Sequence, residues 1–332
     1  VGSTVLTYIM FSKLDFSISN MLAAAPDGHF SIIRPLDDET LPWPGLFLGV
    51  PLLGFWYWST NQYIVQRVLG AKNVRHARWG VLLGGFLKLI PLFIMVIPGA
   101  MAISIYTGIE NSDMVYPTMV LEALPVGLIG LVLAGLISAI MSSVDSTLNS
   151  SSTLVVIDFI KPRQPDITPK KVAYYGRVST LVLMVIAALW APMIENFGGL
   201  WSYLQQMYTI FVPPIVVLFL VGTFYKRGNG HGAYWTLVLG TFTGILLFAL
   251  GQMGLWSIHF TINAGIVVLL SAVVFVYFSL KRPAPPQEIL DHFTFNRKLI
   301  DQDNAGLAWY QNYKLWAFIL FLAIVAIFIL LF

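Results

Sequence analysis

The sequence contains no cysteine, and only 11% of its 332 residues are charged. Without cysteine, the chain can have neither a disulfide framework nor a thiolate metal site. Hydrophobic residues make up 57% of it and the mean hydropathy is +0.77, so it has too few polar side chains to cover a water-soluble body of this size. The composition therefore predicts an all-α polytopic membrane protein.

Motifs of soluble enzymes are also absent from the sequence. It has no Gly-rich phosphate loop, no His or Cys cluster at metal-ligand spacing, and no Ser/His/Asp set that a core could assemble. The net charge of +3 is small, and membrane topology explains the clustering of basic residues in short loops. We therefore expect neither an enzyme nor a nucleic-acid-binding protein.

About eight apolar segments are long enough to cross a bilayer. They cover residues 41–69, 79–106, 124–161, 172–193, 200–225, 234–252, 261–280 and 315–332. The basic loops between them fall on one side, which the positive-inside rule makes cytoplasmic. Both ends of the series then face outward.

The third of these segments, 124–161, carries a ladder of polar side chains at steps of three and four. Its members are Ser138, Ser142, Asp145, Ser146, Asn149 and Thr153. This spacing places them on one helical face. The serines alone are compatible with a packing seam in which hydroxyls bond back to their own helix. A carboxylate inside a membrane costs at least about 2.5 kcal/mol, so Asp145 favours a face that lines a cavity or an ion path.

Aromatic side chains and a lysine lie deep in the first two predicted spans. Tyr57 lies roughly 18–22 Å below the interface marked by Trp43. Together with Trp56 and Trp58, it either packs between helices or forms a platform and gate for a ligand with apolar faces and hydroxyl edges. Lys88 lies about 15 Å from the cytoplasmic end of its span, so it needs either an ion-pair partner or a polar ligand.

Prolines and glutamines mark two spans as irregular. Pro91 and Pro98 are expected to bend the second span and to free backbone carbonyls there. The fifth span has Gln205-Gln206 in a polar outer half, and Pro213-Pro214 predict a break in its middle. The glutamines either bond neighbouring helices or face a ligand.

Five stretches resemble the sodium/glucose cotransporter branch of the sodium:solute symporter family, in the same order. They are LPWPG…WYWSTNQYIVQRVLGAKN at 41–73, LKLIPLFIMVIPG at 87–99, YPTMV at 116–120, SAIMSSVDSTLNSSSTL at 138–154 and YLQQM…PPI at 203–215. The resemblance covers most of the chain from residue 41 to about 280. It implies a transporter fold of two inverted repeats of five helices, with extra helices at both ends, that alternates between outward-open and inward-open states.

The resemblance also implies a division of the chain. Residues 1–43 would form an extracellular loop and the end of a preceding helix, and 44–225 would hold the core helices of the second repeat. Residues 226–332 would be C-terminal scaffold helices with a cytoplasmic loop at 281–314. Because the chain begins with Val1, we expect it to be a piece of a longer protein. The resemblance implies that this piece lacks the first repeat.

Two sodium sites follow from the resemblance. The main site would use the Ala139 carbonyl and the Ser142 and Ser143 hydroxyls, which are hard oxygen ligands suited to a small hard cation. A second site, found in some members, would use Ser142, Asp145 and Ser146. Asp145 departs from the family pattern, in which a hydroxyl or a small residue is expected.

A sugar site follows in the same way. The resemblance implies an inner gate at Tyr57 with Trp58 beside it, Lys88 donating to sugar hydroxyls, and Gln205 both accepting and donating through its amide. At Gly54 the sequence departs from the family, which usually supplies a polar side chain there. The predicted substrate is a glucose-like or galactose-like sugar.

These residues predict a sodium-coupled secondary active symporter that imports this sugar by alternating access. A family relative for inositol, an amino acid or sialic acid is the main alternative, which Gly54 keeps open. A transporter-like sensor would need a soluble output domain, and a passive channel would have no use for the hydroxyl ladder. The expected partners are the sugar, sodium and the lipid bilayer, and the cysteine-free chain fits a bacterial inner membrane.

Overall fold

The structure, a computed structural model, describes residues 2–24, 31–106, 108–109, 111–197, 199–295 and 308–331. Helices dominate this part of the chain, and it contains one isolated β-bridge, between Arg34 and Pro42. The helices are α1 (Gly2–Lys13), α2 (Ile18–Ala24), α3 (Trp43–Ser59), α4 (Gln62–Leu69), α5 (Val74–Leu87), α6 (Ile97–Ile105), α7 (Val115–Ala123), α8 (Val126–Leu154), α9 (Pro169–Trp190), α10 (Leu200–Phe224), α11 (Gly230–Gln252), α12 (Phe260–Leu280), α13 (Gln287–Phe293) and α14 (Tyr313–Leu331). Two π-helical segments, Leu92–Val96 and Val155–Ile160, precede α6 and follow α8.

Six helical segments of the described chain are long and apolar enough to cross a membrane. They are Val74–Ile105, Val126–Arg163, Pro169–Ile194, Leu200–Phe224, Gly230–Gln252 and Phe260–Leu280. These segments correspond to the second to the seventh predicted spans. The eighth corresponds to α14, whose apolar stretch Tyr313–Ile329 is shorter.

The first predicted span, 41–69, is not one helix. The backbone N–H groups of Thr60 and Asn61 both donate to the carbonyl of Trp56 at 3.0 Å, which closes α3. Asn61 then stands at the N-cap position of α4, a position that asparagine favours because its side chain competes with helical backbone bonding. The prediction of a single span was therefore wrong at this point, because the polar stretch STNQ ends one helix and starts another.

The predicted break at Pro213-Pro214 is also wrong, because α10 is one continuous helix through both prolines. Proline removes an N–H donor, so the Ile210 carbonyl loses its helical partner at Pro214. Helix α11 packs against this place: a Cβ on Gly244 would lie only 2.7 Å from the Ile210 carbonyl oxygen. This close approach brings Cα–H groups near the freed carbonyl and buries both prolines.

The chain forms two compact units, residues 1–29 with 87–200 and residues 30–86 with 201–332. In the first unit α1 packs against α6, α7 and α8. Leu6 and Met10 of α1 are completely buried, as are Met101 and Met119 from α6 and α7. Helix α1, which lies in the part of the chain expected to hold the end of a preceding helix, is thus a packed helix of this unit.

In the second unit α12 packs against both α3 and α11. Gly45 and Gly49 of α3 lie on Thr261 at the start of α12, where a Cβ on either glycine would overlap Thr261 atoms. The absence of side chains at these two positions lets the helix backbones approach closely, as small residues do between membrane helices. Thr261 is almost completely buried there.

His259 connects the start of α12 to the loop that precedes α3. Its Nδ1 accepts from the N–H of Thr261 at 3.3 Å, which caps the helix, and Nε2 lies 3.2 Å from the Glu39 carbonyl. This pattern places the proton of a neutral ring on Nε2, where it donates to Glu39. Burial lowers the pKa of His259 below its ordinary value of 6.5, although the Glu39 carbonyl and the Asp38 carboxylate oppose the shift.

The same loop is organised by Asp38. Its carboxylate accepts from the N–H groups of Leu41 at 2.8 Å and Thr40 at 2.9 Å, and from Arg34 at 3.1 Å. The bond from Leu41 is the largest influence that holds the pKa of Asp38 below its ordinary value of 3.8, with Arg34 and Thr40 acting in the same direction. Asp38 therefore stays ionised across the range in which His259 titrates.

We predict that acidification loosens this junction through His259. The folded pKa lies below the unfolded value, so the unfolded chain binds the proton more readily, and stability is full above about pH 6.5 and falls as pH drops toward the folded pKa. Protonated Nδ1 becomes a donor and can no longer cap α12. The thermal midpoint of the purified protein should therefore decrease between about pH 7.5 and about pH 5.5.

His259→Asn is the matched variant for this prediction, because asparagine caps helices well and does not titrate. The variant should show a smaller decrease in the thermal midpoint over the same pH range. An equal decrease in both proteins would assign the pH dependence to other groups.

Candidate functional site

Helix α8 presents the polar ladder along an uninterrupted helix. No proline occurs between Val126 and Ile160, so the backbone continues from α8 into the π-helical segment Val155–Ile160 without a lost donor. Ala139, Ser142, Ser143 and Ser146 follow at steps of three and four, and thus share one face at 100° per residue.

Several hydroxyls of the ladder bond back to their own helix. Ser138 donates to the Ala134 carbonyl at 2.8 Å, Ser146 to Ser142 at 2.8 Å, and Thr153 to Asn149 at 2.8 Å. These are the back-bonds of the packing-seam interpretation. That interpretation therefore holds for this subset of the ladder.

Ser142, Ser143 and Asp145 differ from that subset. Their side chains are exposed, and among the described residues they make no hydrogen bond. The Ala139 carbonyl lies one turn before Ser143 and keeps a second lone pair beyond its helical bond. Two hydroxyls, a carbonyl and a carboxylate thus offer hard oxygens within two turns of one helix.

Lys88 lies at a break in the second membrane segment. Helix α5 ends at Leu87, Lys88 and Leu89 form a turn, and the π-helical segment starts at Leu92. Pro91 explains the break, because its missing N–H leaves the Leu87 carbonyl without its helical partner. The predicted irregularity is confirmed at this place, and it exposes the Lys88 side chain.

The adjacent aromatic residues Trp56 and Tyr57 of α3 have different surroundings. Trp56 packs on Tyr208 of α10 with ring centroids 5.0 Å apart, next to the buried cluster of Leu53 and Val212. Tyr57 lies 100° further round the helix, and its hydroxyl is 3.3 Å from that of Tyr63 on α4. Packing between helices thus accounts for Trp56, whereas Tyr57 faces the broken region between α3 and α4.

Trp58 stands edge-on to Tyr57, with ring centroids 5.6 Å apart and planes at 83°. Its indole also covers Gly84 of α5, where an added Cβ would lie 3.6 Å from the ring. With 39% of its surface exposed, Trp58 is not a core residue. It therefore stands beside Tyr57, outside the buried cluster.

Gln205 lies on α10 within one turn of the level of Tyr57. The pairs Leu53–Val212 and Trp56–Tyr208 show that α3 and α10 run antiparallel where they pack. Continued by one turn, this pairing places Gln205, which is half-buried, level with Ser59 and Thr60 at the end of α3. The neighbouring Gln206 instead donates to Ser202 within α10 at 2.9 Å.

A model of the sodium:solute symporter family matches residues 2–240 of the sequence. The chain belongs to this family. The family is one of transporters, and with six apolar segments of membrane-crossing length the chain is a multi-pass membrane protein.

Curated relatives include two human proteins. The sequence is 33% identical to sodium/myo-inositol cotransporter 2 over 299 residues, which is 80% of this chain and 44% of the relative. It is 36% identical to sodium/glucose cotransporter 4 over 303 residues, which is 81% of this chain and 44% of the relative. The chain thus spans less than half the length of these relatives.

A solved structure of a Na⁺-coupled sialic acid symporter, substrate-bound and outward-open, shares the fold. The TM-score is 0.67 at 19% sequence identity, and the likeness covers 86% of this chain and 60% of that one. The predicted all-α transporter fold with inverted repeats of five helices is confirmed.

Two features of the candidate site lie beyond the sequence-based expectations. Tyr63 was within a recognised stretch but was not singled out, and Tyr208 was not considered. The polar stretch around Asn61 could have indicated that Tyr63 lies near Tyr57, because α4 starts there and brings Tyr63 back toward Tyr57. Tyr208 carries no sequence signal, since only the packing of α10 on α3 brings it to Trp56.

We predict a small coupling between Tyr57 and Tyr63. Their oxygen separation of 3.3 Å is long for a hydroxyl pair, so the bond should contribute about 0.5 kcal/mol to the free energy of unfolding. Tyr57→Phe, Tyr63→Phe and the double variant, measured by denaturant titration, form a double-mutant cycle. Strictly additive effects of the two single changes would contradict a direct bond.

Proposed function

We propose that the protein performs sodium-coupled symport and imports a glucose-like or galactose-like sugar by alternating access. The observation that carries the proposal is the set of exposed oxygens at Ser142, Ser143 and Asp145, on α8 of a chain that belongs to the sodium:solute symporter family. Sodium and the solute are both substrates in this proposal.

The chemistry of the oxygens favours a monovalent cation. The described residues contain no group of three or more His, Asp or Glu side chains that could hold a metal ion. Divalent calcium usually requires several carboxylates, whereas a helix face with the Ala139 carbonyl and the Ser142 and Ser143 hydroxyls suits sodium. Asp145 and Ser146, one turn further, would serve a second sodium ion.

The solute site that we propose consists of Tyr57, Trp58, Lys88 and Gln205. Tyr57 and Trp58 offer aromatic faces to the apolar side of a sugar ring. Lys88 donates to hydroxyls from a turn between helices, and the Gln205 amide both donates and accepts. Tyr63 holds the Tyr57 hydroxyl and thereby sets the orientation of the gate.

A cyclic polyol such as myo-inositol is the second candidate solute. It is supported by the likeness to sodium/myo-inositol cotransporter 2 and by the shared chemistry of a ring with hydroxyl edges. Gly54 bears on the choice: a Cβ added there would meet no atom within 4 Å. No neighbouring atom therefore requires a glycine at position 54. The glycine leaves the site without a polar side chain there, which changes the hydrogen bonds that the site can offer to a solute.

Coupling follows from differential affinity. Sodium at Ser142 and Ser143 stabilises the outward state that binds solute, and its loss to a low-sodium cytoplasm releases both. One charge moving through about 100 mV contributes about 2.3 kcal/mol, and a tenfold sodium gradient adds about 1.4 kcal/mol. Together they support accumulation of a few hundredfold for one sodium ion, and about the square of that for two.

The division of the chain at residues 43 and 225 belongs to the same proposal, with the core helices of the second repeat in 44–225 and scaffold helices in 226–332. Location in a bacterial inner membrane stays a prediction, since the two relatives described above are human proteins.

We predict that Ser143→Ala abolishes most of the sodium-dependent uptake of labelled glucose or galactose into proteoliposomes. Loss of one oxygen ligand to a charged ion should weaken the apparent sodium affinity by about tenfold to a hundredfold. Ser138→Ala is the matched control, because it removes a hydroxyl from the same helix at a position that is not a proposed sodium ligand.

Two results separate the parts of this prediction. Sodium binding without uptake of either sugar would direct the search to myo-inositol and other solutes. Uptake that is equal in sodium and potassium would contradict coupling.

Asp145→Asn tests the second sodium ion. If the carboxylate helps to bind that ion, the variant should reduce the Hill coefficient for sodium and the number of sodium ions moved per solute. Flux ratios of ²²Na⁺ and labelled solute measure that number. An unchanged ratio would contradict a second sodium site at Asp145.

A further inference from the structure

The second unit contains an apolar groove that the transport proposal does not use. It lies between the segment that joins α4 to α5 and the start of α14, and its volume is about 600 Å³. Aliphatic side chains form most of its wall, among them Val68, Leu69, Val81, Leu82 and Ala317. The groove is therefore suited to a hydrocarbon chain.

Basic residues lie in the lining of the same groove and next to it in the sequence. Arg78 lines it, and its guanidinium lies 4.6 Å from the centre of the Tyr313 ring. Lys72, Arg75 and Lys314 are exposed and adjoin residues of the lining. Neither 62–82 nor 308–331 contains an aspartate or a glutamate, so both chain segments that form the groove carry positive charge alone.

Aromatic side chains mark the level of the groove. The Trp79 and Trp316 rings lie 6.2 Å apart, and the Trp316 indole donates to the Tyr310 carbonyl at 2.8 Å. Tryptophan and tyrosine concentrate where lipid headgroups meet hydrocarbon. Along α5 and α14 the basic residues precede these tryptophans, and the lining residues Val81, Leu82 and Ala317 follow them. Part of the aliphatic wall thus extends from the basic end of the groove toward the hydrocarbon, as the acyl chain of a lipid does.

We propose that this groove binds an anionic phospholipid. Its acyl chain lies along the aliphatic wall between α5 and α14, and its phosphate is held by Arg78 with Lys72 and Arg75 on the rim. Positively charged pockets between membrane helices recognise anionic headgroups in this manner. The positive-inside rule alone explains why the loop is basic. It does not explain why the basic residues lie beside an apolar groove and a pair of tryptophans.

The test uses the purified protein in nanodiscs that contain phosphatidylglycerol or phosphatidylcholine, each with a diazirine in the acyl chain. After photolysis, peptide mapping should place the phosphatidylglycerol label on residues 68–82 and 313–317, several-fold above the phosphatidylcholine label. Added glycerol phosphate should not compete, because it lacks the acyl chain.

Variants separate a local site from general attraction to basic surfaces. Arg78→Gln should reduce the phosphatidylglycerol label by about fivefold, the effect of one surface charge, and Arg78→Lys should restore most of it. The matched control is Lys226→Gln with Arg227→Gln, a basic pair at the end of α10 that does not line the groove. Ala317→Trp fills the groove with all charges retained, and should also reduce the label if Arg78→Gln fails to fold.

Three results would overturn the proposal. Equal labelling by the two lipids would exclude recognition of the headgroup. An equal loss in the Lys226 and Arg227 variant would show diffuse attraction. Cross-links from the groove to another segment of the chain would show that protein, rather than lipid, fills it.

Discussion

In a membrane, each backbone N–H and C=O group needs a partner within the protein, because hydrocarbon supplies none. The described helices meet this constraint in two ways. Across Pro213-Pro214 the helix α10 stays continuous, since α11 approaches closely enough at Gly244 to cover the Ile210 carbonyl. At Thr60-Asn61 and at Lys88 the helices break instead. Both breaks lie beside residues proposed to contact the solute, as expected where irregular backbone lines a cavity.

The serines of the hydroxyl ladder on α8 occur in two arrangements. The hydroxyl of a helical serine can donate a hydrogen bond to the carbonyl four residues earlier, as those of Ser138 and Ser146 do. Ser142 and Ser143 leave their oxygens available. The back-bond uses the hydroxyl proton and leaves the lone pairs of the oxygen free, so it fixes the orientation of the side chain without excluding that serine as a cation ligand. The structure thus divides a ladder that the sequence presents as uniform.

The aromatic residues of α3 divide in the same way. Trp56 faces the buried cluster with Tyr208, and one residue further on Tyr57 points to Tyr63. The rotation of 100° per residue makes adjacent aromatic residues face different surroundings. The packing of α10 thus places Trp56, and not Tyr57, against the buried cluster.

Much of the fold could be predicted from the sequence, because hydropathy and the spacing of polar residues are local properties of the chain. The amino-acid sequence by itself determined the membrane class, the approximate positions of the spans, the shared face of Ser142 and Ser143, and the break at Pro91. The tertiary structure alone decided that α10 continues through two prolines, that Tyr63 reaches Tyr57, and that a basic groove forms beside α14. The physical reason is that each of these outcomes depends on a partner from another helix. A glycine on α11, a hydroxyl on α4 or an aliphatic wall on α14 lies far along the chain, and no local pattern shows which distant segment will pack there.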